Sequence, residues 1–243
     1  MRYKMALMLT LFALLTACTT AMNKETDSMH VNNDTTTATP NVTSIAGDAS
    51  TVDNSIRAVG TVQDGHLLVK PDSQANKAPL GAPSCLGLET FFRWSGDYEV
   101  VWEPASGGAS SKVFSFPVDF DIVQPSETPI LLQQFTLEKT TIFAYVPRYT
   151  DCHGLETYLF GIEEGKAFPI PFVMKPDQIL AEISQLPQHP FQVSNGELIL
   201  TGGYGAGQDF IPVYHFNYDR NKHAMILNKT EQVKPNDLVS GEA

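Results

Sequence analysis

The residues of this 243-residue chain best suited to chemistry sit in two matching stretches. Cys85-Leu-Gly-Leu-Glu-Thr-Phe-Phe returns 67 residues later as Cys152-His-Gly-Leu-Glu-Thr-Tyr-Leu, with five of eight positions identical. Asp151-Cys152-His153 sets an imidazole beside a thiol, the raw material of a cysteine nucleophile. Two facts count against that chemistry. Adjacent residues on a strand point to opposite faces, and Cys85 carries Leu86 where Cys152 carries His153. The favoured reading is a Cys85–Cys152 disulfide, whose 67-residue loop is worth roughly 4 kcal/mol on chain-entropy grounds. The alternative is a pair of buried thiols in separated repeats, since Cα atoms beyond about 7 Å cannot be bridged.

Carboxylates, histidines and glycines give less. Glu89 and Glu156 repeat within Gly-Leu-Glu-Thr, which suggests a shared structural duty such as satisfying backbone donors. Asp97, Glu99, Glu103, Asp119, Asp121, Glu163 and Glu164 are expected in turns or facing outward on strands, so no catalytic residue is assigned. His66, His153, His189, His215 and His223 follow no metal-ligand spacing, and neither a metal site nor a cofactor is expected. Gly202-Gly203-Tyr204-Gly205-Ala206-Gly207-Gln208 has the glycine content of a phosphate cradle. It leads into Asp209, Phe210 and a strand instead of the helix N-terminus that a phosphate needs behind such a loop. It reads better as a recognition loop displaying Tyr204, Gln208 and Asp209, with Arg148, Tyr149, Asp151 and His153 on a second one.

The elements that must hold these residues have a period of two. Phe114, Phe116, Val118, Phe120 and Ile122 alternate with polar positions and Pro117, and strand-like runs recur at 89–94, 98–102, 130–137, 141–146, 157–162, 197–201 and 211–218. Turn residues separate them, as at Glu163-Glu164-Gly165-Lys166 and Asp219-Arg220-Asn221-Lys222. One short helix is predicted near 177–186, capped by Asp177, carrying Ile179, Ile183 and Leu186 on one face and stopped by Pro187. A weaker third copy of the repeat places Tyr214 and Phe216 where the second has Tyr158 and Phe160, and 141–146 matches 197–202 at the same offset. Each unit reads as strand, variable loop, strand, tight turn, strand. Such units resemble propeller blades, and about four of about 45 residues would use the available length. The fold class is therefore all-β, an antiparallel β-repeat domain, propeller-like, with a twisted β-sandwich or an open barrel as the alternative.

The N-terminus supplies an address. Arg2 and Lys4 precede an apolar run from Ala6 to Leu15, shorter than the roughly 20 residues that span a bilayer, in the pattern of a secretory signal peptide. Leu15-Thr16-Ala17-Cys18 resembles the lipobox of bacterial lipoproteins. That resemblance implies cleavage after residue 17, lipidation of Cys18, a membrane partner held through acyl chains, and an oxidising compartment that permits disulfides. With Thr19 next, it implies the outer membrane in a diderm host, facing periplasm or surface, and otherwise the outer face of the cytoplasmic membrane. Residues 18–55 are rich in Thr, Asn, Asp, Ser and Ala without an aromatic side chain, so they are expected to be a disordered, lipid-anchored tether. The β-rich globular domain is expected over 56–230, and a polar tail over 231–243.

Cleavage removes Arg2 and Lys4 from the 16 basic residues, leaving 14 against 27 acidic ones and a formal charge of −13. Such a surface repels nucleic acid. The expectation is a tethered binding or scaffold module for a protein or glycan. Alternatives are an envelope enzyme, most plausibly a glycan hydrolase using carboxylates, and an inhibitor or assembly factor.

Overall fold

The computed structural model describes residues 50–150, 152–187 and 189–238. Cys18, the signal segment, most of the tether, Asp151 and the end of the polar tail lie outside them. In chain order the strands are β1 Thr51–Val52, β2 Ala58–Val62, β3 Gly65–Pro79, β4 Phe92–Pro104, β5 Ser111–Ser115, β6 Phe120–Gln124 and β7 Ile130–Leu131. They continue with β8 Gln133–Leu137, β9 Thr140–Tyr145, β10 Tyr149–Thr150, β11 Gly154–Glu163, β12 Lys166–Pro169, β13 Phe172–Lys175, β14 Gln178–Leu180 and β15 Glu182–Gln185. The last four are β16 Gln192–Ser194, β17 Glu197–Thr201, β18 Ile211–Asp219 and β19 Ala224–Val233, followed by a single 3-10 turn at Pro235–Asp237. The fold is all-β, as the alternation requires.

Among the described residues three sheets form, none closed into a barrel. The first holds β1 to β7, the second β8 to β12 with β15, and the third β13, β14 and β16 to β19. Inside each lies the same four-stranded antiparallel meander: β2-β3-β4-β5, β8-β9-β11-β12 and β16-β17-β18-β19. The repeat is thus one strand longer than the sequence suggests, and its three copies are the two clear ones and the weaker third read from the sequence. Tight turns close the outer hairpins. Glu164 (φ 51°) with Gly165 (φ 71°) and Asn195 (φ 52°) with Gly196 (φ 80°) both occupy the left-handed region that two-residue hairpin loops require.

The meanders stack face to face. On the second sheet Phe143, Tyr145, Tyr158, Phe160 and Ile162 pack with Leu67, Val69, Trp94, Tyr98 and Val100 of the first. The alternate residues Leu137, Ile142, Ala144 and Leu159 pack with Phe172, Leu198, Leu200 and Phe216 of the third. Both faces of β9 and β11 are therefore buried, and these two strands are closed to solvent at almost every position, whereas β8 beside them is largely exposed. Approach is close enough that Gly60 has no room for a side chain: a Cβ there would lie 2.9 Å from the Phe143 ring.

Two expectations are corrected. The predicted helix at 177–186 is two strands, β14 and β15. Ile179 and Ile183 are four apart, a spacing shared by a helical face and by one side of a strand, so they could not discriminate. Ile183 is buried while Ile179 is 62% exposed, and β15 is held by the ladder to β11, Leu155 opposite Gln185 through Tyr158 opposite Glu182. The alternating run from Phe114 to Ile122 is also broken, at Asp119 (φ 56°), into β5 and β6, which pair with different parts of β4. Because Phe143 is 1% exposed between the sheets, Phe143→Ala should lower the unfolding free energy in urea by about 3–5 kcal/mol. A loss below about 1 kcal/mol would contradict a packed interface there.

Candidate functional site

In every meander the connection between the second and third strands is the longest and least regular, and the three such loops meet. Cys85 of the β3–β4 loop is joined in a disulfide to Cys152 of the β9–β11 loop, with Cα atoms 4.5 Å apart. The Tyr204 amide of the β17–β18 loop donates to the His153 carbonyl at 3.0 Å, and the Gly203 amide donates to the Ser184 carbonyl at 3.1 Å. Stacked units bring equivalent positions side by side, which is why cysteines in equivalent places of two repeats bond instead of remaining separate thiols. The opposite end of the stack is held by turns: the Trp102 indole donates to the Gly165 carbonyl at 3.0 Å, Arg220 pairs with Glu163, and His223 stacks on Phe168 at 3.7 Å.

Two hollows flank the seam between the loops. One, of about 410 Å³, is lined by the disulfide with Pro83, Leu88, Phe91 and Tyr149, and it is mostly apolar. Leu88 is 59% and Tyr149 37% exposed. The other is a cleft of about 450 Å³ whose walls include His153, Gln178, Glu182, Ser184, Tyr204, Gln208 and Tyr214. Glycines let the loops pack closely against Ser184 beside it, since a Cβ on Gly154 or Gly203 would meet the Ser184 hydroxyl at 2.0 or 2.4 Å. The Gln208 carboxamide folds the loop back on itself by accepting the Gly205 amide at 2.7 Å.

The residues named from sequence are distributed as follows. Tyr149 lines the apolar hollow, His153, Tyr204 and Gln208 line the cleft, and Asp209 lies exposed beyond it. Arg148 turns inward: its Nη2 is 3.1 Å from Glu156 Oε2, its Nη1 donates to the Asp121 carbonyl at 2.5 Å, and its guanidinium covers the Phe120 ring at 4.4 Å. It positions the loop by tying the second sheet to β6 of the first. Sequence reasoning missed Glu182, Ser184 and Tyr214, the first two because the helix prediction hid the alternation of Glu182-Ile183-Ser184-Gln185.

The two repeated glutamates differ. Glu89 is exposed in a turn, whereas Glu156 is buried on β11 and accepts the Tyr158 hydroxyl at 2.5 Å in addition to facing Arg148. Nor are all the other acids solvated: Glu99 is 7% exposed and paired with Lys112 at 2.9 Å. Burial, and then the charge of Glu156, push the Glu182 carboxyl above its ordinary 4.5, against the opposing pull of Arg148. Burial and the bond to Glu156 likewise push the Tyr158 phenol up.

Reduction of the disulfide, or the Cys85→Ser and Cys152→Ser pair, should cost roughly 4 kcal/mol in denaturant titration by releasing a 67-residue loop. An unchanged midpoint would contradict the bridge. A carboxyl raised in the fold is disfavoured as the anion, so Glu182 costs stability at neutral pH, and that cost fades as pH falls through its folded value toward 4.5. Glu182→Gln should therefore raise Tm at pH 7 and leave it unchanged near pH 4. A lower Tm at pH 7 would contradict the burial argument. Comparison with protein-family models, with curated proteins and with solved structures returns no match to this chain, so the site is read from its own geometry.

Proposed function

We propose that this protein is a lipid-anchored envelope module that binds a partner protein, or an envelope glycan, along the edge where its three loops meet. The observation that carries the reading is the convergence of those loops. Three equivalent connections, covalently and hydrogen-bonded to one another, present two hollows and exposed Leu88 and Tyr149, while the opposite end carries short polar turns. Loops fixed on a rigid scaffold are the usual place for recognition. The apolar lining around the disulfide favours a protein as partner. The disulfide suits an oxidising compartment, and the lipobox ending in Cys18 supplies the anchor.

A hydrolase reading has less support. Glycoside hydrolysis by two carboxylates needs both at the bond being cut. Glu156 is shut in by Arg148 and Tyr158, which leaves Glu182 as the one carboxylate lining the cleft among the described residues.

A photo-crosslinking side chain at Tyr149, introduced in cells, should yield a discrete adduct in the membrane fraction. The same group at Asn221, on the turn end, should yield none, and metabolic labelling with palmitate should mark the chain but not its Cys18→Ala variant. Equal adducts from both positions, or none from Tyr149, would contradict binding at the loop edge. An unlabelled chain, or equal labelling of the Cys18→Ala variant, would contradict the anchor.

A further inference from the structure

We propose that the cleft beside Tyr204 is a binding site for a primary ammonium group, carried either by a lysine side chain or by a small free amine. The inference rests on reading the loop edge as a binding face, and it names the chemistry of one of the two hollows.

The cleft wants a cation. Among the described residues no lysine or arginine lines it, and Glu182 has no cationic group within ion-pair distance. Its nearest guanidinium, Arg148, is committed to Glu156 at 3.1 Å, to the Asp121 carbonyl at 2.5 Å and to the Phe120 ring at 4.4 Å. Two carboxylates and one guanidinium leave the cluster with a net charge of −1. Glu182 sits opposite Tyr158 on the β15–β11 ladder and is half-buried, so water offsets its charge only in part. A half-buried carboxylate without a partner is a standing cost that an incoming cation removes.

The rest of the lining suits an ammonium group on an alkyl stem. Tyr204 and Tyr214 contribute half-buried aromatic rings, whose faces attract cations, and Tyr214 lies against the backbone at Gly202, where a Cβ would come within 2.8 Å of its ring. Met174 and Leu180 offer apolar wall to the methylenes, while Gln178 and Gln208 carry carboxamide oxygens as additional acceptors. The imidazole of His153 stands exposed on the rim. An overall formal charge of −11 draws cations toward the surface from a distance. An anionic ligand would face Glu182 with no counter-charge, and an uncharged one would leave the carboxylate as it was.

Backbone amide shifts of Gly203 and Gly205 in the full mature chain, recorded by two-dimensional NMR, test the site. Cadaverine and Nα-acetyl-lysine-N-methylamide should each give saturable shifts, and 1,5-pentanediol at equal concentration should give none. Glu182→Gln should weaken amine binding at least tenfold, and 0.5 M salt should weaken it too, while Glu163→Gln at the turn end should bind normally. Tighter binding of the lysine amide than of cadaverine supports a polypeptide source; the reverse supports a free polyamine. Since Glu182→Gln is expected to be the more stable protein, its loss of binding would not reflect unfolding. Equal shifts with the diol, unaltered binding by Glu182→Gln, or no saturable shift with either amine would overturn the proposal. Those results with the Tyr149 adduct intact would overturn the ammonium site alone; loss of the adduct with amine binding intact would overturn only the wider loop-edge reading.

Discussion

The central strands of the middle sheet, β9 and β11, have no solvent face, and most of the structure follows from that. Alternate residues of β9 and β11 look in opposite directions, and both sets are apolar: Phe143, Tyr145, Tyr158 and Phe160 on one side, Ile142, Ala144 and Leu159 on the other. A sheet of this kind cannot stand alone in water, because removing apolar surface from solvent is the main favourable term in folding. It needs a cover on each side, and the flanking meanders provide one each. The outer sheets can then keep a polar face, which is how a chain with 42% hydrophobic residues and a charge of −11 accommodates both a large core and a strongly charged surface.

Stacking also produces the site. Repeats packed face to face bring their equivalent loops into one row, and the row is secured by the Cys85–Cys152 bridge and the Tyr204-to-His153 hydrogen bond. β15 completes the arrangement, since it pairs with β11 of the middle sheet while its Ser184 and Gln185 reach Gly203 and Gly202 beside the third. Glu182 and Ser184 come into the cleft on that strand. The seam between two sheets is thus the place where a carboxylate can be half-buried with no partner of its own.

How much of this was legible depended on whether a signal survives without knowledge of the neighbours. Alternation survives, so the all-β class and most strands were readable from residues such as Thr141 to Val146 and Ile211 to Tyr218. The matched cysteines were readable as a bridge because a repeat carries its own geometry. Chemical identity between repeats was less informative: Gly-Leu-Glu-Thr is a turn at Glu89 and a buried strand at Glu156, because the first copy precedes β4 and the second lies inside β11. Ile179, Ile183 and Leu186 satisfied a helical face, yet the free edge of β11 recruited that segment as a strand, and tertiary pairing overrode the local pattern. Arg148 was expected to face a ligand and instead faces Glu156, since no local feature marks the carboxylate beneath it.

The central claim is that the three loops form one mechanical unit on a stack that is stable without it. Hydrogen–deuterium exchange of the full mature chain, oxidised and reduced, tests this most directly. Reduction should leave residues 80–91, 146–150, 152–153 and 202–205 together without protection, while the amides of β9, β11 and β17, faster only by the lost global stability, stay the slowest of the described residues. Faster exchange confined to the segment around Cys85, or sheet amides that exchange as fast as the loops, would contradict it.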